Sequence, residues 1–143
     1  MFPRMRIHLT YTKRNGEFDA LMVERDAGTL HIDCPKQRVL PHDMLHYVAM
    51  SVLAERGLLN GFGGSAKMIV ASLVETLQAA LWSGAGEIAD LLRLFRATCR
   101  ARGSAPPEFS LQSMERACKM ALAFDRHWRG LETGETMTMS LPV

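Results

Sequence analysis

From Met5 to Lys13 the apolar residues Met5, Ile7, Leu9 and Tyr11 alternate with the polar residues Arg6, His8, Thr10 and Thr12. That two-residue period is the mark of a strand with one buried face and one solvated face. Asn15-Gly16 follows, a dipeptide that readily takes the positive φ of a tight hairpin turn. A return strand over Phe18 to Glu24, a second turn at Asp26-Ala27-Gly28 and a short strand over Thr29 to Cys34 complete a predicted three-stranded antiparallel meander.

After Pro35 and Pro41 the period lengthens to that of helices. Pro41 suits the first helical turn, where its missing N–H is not needed, and Asp43 complements the positive end of the helix dipole. A first helix is predicted from Pro41 to about Arg56, stopped by Gly57. Asn60-Gly61-Phe62-Gly63-Gly64 is a flexible connector, suited to act as a lid near the start of that helix. Ser65 is placed to cap a second helix, Ala66 to about Trp82, with Val70, Leu73, Val74, Leu77 and Leu81 on its apolar stripe. Ser83-Gly84-Ala85-Gly86 breaks the chain before a third helix, Glu87 to about Arg102, which turns Ile88, Leu91, Leu92, Phe95 and Cys99 inward.

Gly103 to Pro107 is the next loop. Phe109 can staple against Met114 around the cap Ser110, opening a fourth helix that buries Leu111, Met114, Cys118, Ala121, Leu122 and Trp128. Alternation returns at Met137, Met139 and Leu141, predicting a last strand that rejoins the sheet. Strands and helices fall in separate blocks. The expectation is a single α+β domain over residues 1–143: an N-terminal three-stranded meander, a four-helix segment and a C-terminal returning strand.

Composition changes this picture little. Hydrophobic residues make up 48% and charged residues 22% of the chain, as in an ordinary folded domain. A net charge of +2 argues against a nucleic-acid partner. The strip Arg93, Arg96, Arg100 and Arg102 has no interleaved aromatic residues and reads as a solvated helix face. The basic N-terminus runs into no apolar signal core, and no apolar run is long enough to span a bilayer. Cys34, Cys99 and Cys118 form no CxxC pair and are expected to be reduced, half-buried small hydrophobes, so a cytoplasmic location is expected. Of the ten methionines, Met44, Met50, Met68, Met114 and Met120 can fill gaps in a helical core. Met137 and Met139 share one face of the last strand, which suits either the core or the edge of a homodimer.

The chemistry lies in His42-Asp43-Met44-Leu45-His46. Residues four apart on a helix are separated by about 40° around the axis, so the two imidazoles project side by side and can chelate one divalent cation. Zinc, iron and manganese all accept imidazole. The same face continues to Ala49, Met50 and Leu53, which predicts that the pair faces inward at the start of a core stripe. Asp43 can serve as a further ligand or as a helix cap. It follows the first histidine as glutamate does in HExxH zinc peptidases, but is one methylene shorter and lacks an identifiable distal ligand. Glu75 in the second helix is the leading candidate for a third ligand, its other and preferred reading being a place on the solvated face near Lys67 and Gln78; Asp90, Glu87, His31 and His127 are further candidates.

The segment Leu40-Pro41-His42-Asp43-Met44-Leu45-His46-Tyr47-Val48 resembles the PHDxxHY signature of a family of short bacterial proteins. Those proteins share an N-terminal hairpin, a connector like Gly61-Phe62-Gly63 and a Gly-Glu ending like Gly134-Glu135. The resemblance implies this layout and no particular activity. The segment is also similar to the HDxxH helix of the ubiquinone-biosynthesis metal proteins, which implies His42, Asp43 and His46 as ligands. Their HDxxHx11E pattern meets Leu58 here, and the nearest glutamate is Glu55.

Two functions fit these residues. One is divalent-metal binding, the ion acting in any reaction as a Lewis acid or activator of water. The other is a non-catalytic homodimeric interaction module whose histidines hydrogen-bond structural partners.

Overall fold

The computed structural model describes residues 6–26, 28–36, 39–55, 66–83 and 86–142, with Arg6, Glu55, Leu141 and Pro142 described by backbone alone. Three strands, β1 (Arg6–Thr12), β2 (Phe18–Arg25) and β3 (Gly28–Pro35), precede four helices. The helices are α1 (His42–Glu55), α2 (Ala66–Ser83), α3 (Ile88–Ala101) and α4 (Leu111–Arg129), and strand β4 (Thr136–Pro142) follows them. All four strands join one antiparallel sheet in the order β3-β2-β1-β4. The α+β architecture is therefore the one the alternating and helical periods predict. Met5, Ala27, Gly84, Ala85, the helix stop at Arg56 and Gly57, the connector 60–64 and the cap Ser65 lie outside the described residues.

Strand alternation decides which face of the sheet is covered. Ile7, Leu9 and Tyr11 of β1, Leu21 and Val23 of β2, Cys34 of β3, and Met137 and Met139 of β4 are buried in one cluster with the helices. Met137 and Met139 thus belong to the core and not to an exposed dimer edge. His8, Glu24, His31, Thr138 and Ser140 stay exposed on the other face.

The helices bury most of the predicted stripes, with Ile88 and Leu122 only partly covered and Leu111 exposed. Val70, Leu73, Val74, Leu77 and Leu81 of α2, and Leu91, Leu92, Phe95 and Cys99 of α3, are all buried. Ser110 caps α4 through its hydroxyl, which accepts the Ser113 N–H at 3.1 Å. Phe109 packs at 5.3 Å between ring centroids on Phe95, tying the start of α4 to α3. Leu111 departs from expectation: it is 53% exposed, because the buried face of α4 runs through Met114, Ala117, Cys118, Ala121 and Trp128. All three cysteines are free and fully within the core, deeper than the half-burial expected of them.

The first hairpin also differs from the tight turn predicted. Gly16 has the expected positive φ of 103°, but the strands are joined by residues 13–17. Lys13 is drawn to the other neighbour of β1: its N–H donates to Glu135 at 3.0 Å, and its carbonyl accepts from Gly134 at 2.7 Å. The turn is then organised by Asp19, whose Oδ1 accepts the Arg14 N–H at 2.8 Å.

Asp19 stands at an inward position of β2 and is 1% exposed. Burying a carboxylate is costly unless every lone pair finds a donor. The Tyr11 hydroxyl donates to Oδ2, and the Lys36 ammonium lies 3.5 Å from Oδ1. Tyr11 Oη accepts in turn from Trp128 Nε1 of α4. Lys13 closes the outer side, 5.2 Å above the Trp128 ring.

Replacing Tyr11 with Phe should strip Trp128 Nε1 of its acceptor and Asp19 of a donor in a dry environment. The expected loss is roughly 1–3 kcal/mol of stability. It would be measured as a lower urea midpoint with an unchanged slope. A midpoint equal to that of the parent chain would show that the relay adds nothing.

Candidate metal centre

Helix α1 begins where two separate contacts fix it. The Pro41 carbonyl accepts the N–H groups of Met44 and Leu45 at 2.9 and 3.1 Å, starting the helical ladder. The preceding Leu40 N–H donates 2.7 Å to Asp125 Oδ1, and Arg129 Nε donates 2.8 Å to the other oxygen of the same carboxylate. Asp125 is 7% exposed and lies on α4, so this contact ties the start of α1 to the last helix. On the other side the Asp43 carboxylate lies near Cys34 of β3, where its charge helps raise the pKa of the thiol. Asp43 is half-buried in the first turn of α1, on the side of Cys34.

The buried side of α1 is formed by Met44, Leu45, Val48, Ala49, Val52 and Leu53. His42 and His46 are both exposed. The expectation of an inward-facing pair is corrected here: the imidazoles border the core stripe instead of heading it. At about 100° per residue the buried arc centres near Val48 and Val52, and the histidines fall about a quarter-turn to its side. Leu53 shares their angular position but lies deeper along the helix and is covered.

The His46 pKa is lowered, first by partial burial of its ring and then by the nearby charge of His42, with Asp43 pulling in the opposite direction. The His46 ring also meets the edge of Tyr47 at 5.6 Å and 83°. Burial raises the Tyr47 pKa, while Arg25 opposes that shift.

The remaining predicted ligands lie elsewhere. Glu75 is exposed on α2 and forms a 2.7 Å ion pair with Arg102, whose Nη1 also donates 3.2 Å to Ser72. Asp90 pairs with Arg93 on α3. Glu87 precedes α3 without a side-chain cap bond. His31 lines a shallow groove of about 350 Å³ on the open sheet face with Thr10, Thr12 and Asp33, and His127 is exposed in the last turn of α4. Among the described residues no three His, Cys, Asp or Glu side chains converge as a metal cage. Also among them, no helix is long and apolar enough to cross a membrane.

Cys34 and Asp19 are the residues that sequence reading passed over. Asp19 breaks the apolar series Leu21, Val23 on the inward face of β2, and that break was the available signal. The role of Cys34 had no signal, because it arises from cross-strand pairing with Asp19 and from the approach of Asp43. Comparison with family models, with curated proteins and with solved structures returned no match.

The thiols carry a testable consequence. Burial, then the Asp43 carboxylate, pushes the Cys34 thiol up to about 12, and burial pushes Cys118 up to about 11. At pH 8 a thiol reagent should leave the native protein unlabelled and label all three cysteines after unfolding. The linkage has a definite sign. Cys34 ionises near 9.0 in the unfolded chain and near 12 when folded, so its contribution is complete below pH 9 and is lost as pH rises toward 12. The expected slope is about 1.4 kcal/mol per pH unit for each such group. Urea midpoints that stay level from pH 9 to 11 would contradict it.

Proposed function

We propose that this chain is a divalent-metal-binding protein whose ligands are the imidazoles of His42 and His46. The observation that carries the reading is geometric. Two solvent-facing imidazoles stand one turn apart on a helix start that is tied to α4 through Leu40 and Asp125. A chelating pair held in place loses less freedom on binding than two mobile side chains would. Asp43 assists by fixing the turn and by placing a carboxylate beside the ion, which favours a cation. Glu75 has no part in this reading, since Arg102 engages it. Zinc, iron and manganese are the ions in view. In a single copy an ion held by these two ligands would keep open positions, to be filled by water, a substrate or further protein ligands.

Titrating untagged, chelator-treated protein with zinc, followed by calorimetry and elemental analysis, tests the proposal. The parent chain is expected to take up metal, and a His42→Ala/His46→Ala variant to lose at least about 100-fold in affinity, since even outer-shell changes cost 10- to 100-fold. Both residues are exposed, so the variant should match the parent in stability within about 0.5 kcal/mol. Glu75→Gln should leave affinity unchanged. Absence of bound zinc, iron and manganese from the parent chain would sink the proposal.

A further inference from the structure

We propose that the metal site is completed by a second copy of this chain, so that one ion bridges two α1 helices through four imidazoles. This rests on the metal-binding reading above and adds the partner. The argument is one of supply. Among the described residues no third His, Cys, Asp or Glu joins the pair in a metal cage. The segments outside the description contain none of those four residue types. Glu55, described by backbone alone, ends α1 nine residues beyond His46, about 13.5 Å along the helix axis at 1.5 Å per residue, too far to share an ion. Asp43 lies in the same first turn but does not join the two imidazoles in such a cage. This chain thus brings two strong ligands to the site, whereas a closed zinc site takes four.

A twofold axis supplies the rest most simply, because an isologous contact presents the same pair from each copy. His42 and His46 are exposed, as such a contact requires. The electrostatics are balanced as well. Two helix N-termini facing one cation are repulsive through their dipoles. Each copy carries Asp43 in that first turn, and the two carboxylates offset the repulsion.

The test is the mass of the full untagged chain by light scattering and sedimentation, without metal and with zinc added in steps. Calorimetric stoichiometry and the cobalt(II) absorption spectrum are measured in parallel. The expected result is a monomer without metal and a dimer holding one ion per two chains, reversed by chelator and lost in His42→Ala/His46→Ala. Cobalt should give the intense visible bands of a tetrahedral site. A His46→Gln variant, which removes one ligand per copy and keeps a polar side chain there, should dimerise at least tenfold more weakly with zinc. One ion per chain with an unchanged monomer mass would overturn the bridge and leave the metal-binding reading standing. Absence of metal uptake would overturn both. A dimer that forms without metal, or equally well in the double variant, would overturn the bridge.

Discussion

The structure depends on the satisfaction of one buried carboxylate. Asp19 faces the core from β2, where an isolated charge would cost several kcal/mol. Its donors come from different parts of the chain: the Tyr11 hydroxyl on β1, the Arg14 N–H in the first turn, and Lys36 beyond β3. Tyr11 Oη is held in turn by Trp128 of α4. Apolar burial is non-directional and would tolerate many relative placements of sheet and helices. Hydrogen bonds to a dry carboxylate tolerate few, so this relay fixes how α4 lies on β1 and β2.

Two further carboxylates extend the same logic to the candidate centre. Asp125 stands three residues before Trp128 on the buried side of α4 and receives the Leu40 N–H, so the helix anchored by the relay also positions the start of α1. Asp43 lies near the Cys34 thiol and helps raise its pKa, and Cys34 is the cross-strand partner of Asp19. The contacts of α4, from Trp128 to Tyr11 and from Asp125 to the Leu40 N–H, thus join the relay to the start of α1. The histidines sit at the rim of this construction, supported from below and open above.

Ligand supply at that rim is limited by charge pairing elsewhere. Arg102 engages Glu75 between α2 and the end of α3, and Arg93 engages Asp90 within α3. Exposed pairs of this kind add little to stability. Their consequence is spatial, since they mark acidic residues that serve the helix surface and not the start of α1.

Much of the fold was legible because its signals are local. Alternation at Ile7, Leu9 and Tyr11 and again at Met137 and Met139, the helical stripes of α2 and α3, and the Ser110 cap each follow from spacing along a few residues. The spacing of His42 and His46 is local too, one helical turn apart on the exposed margin of α1. What the sequence could not carry was the orientation of that pair. A helical stripe has an angular width, and whether a residue on its margin is covered depends on how neighbouring elements pack against the helix. The same holds for Glu75, whose partner is 27 residues away. The sequence by itself determined the elements, their order and two imidazoles one turn apart. Tertiary structure decided that the imidazoles face solvent and which acidic groups are engaged elsewhere, because distances between elements are set by packing and not by spacing along the chain.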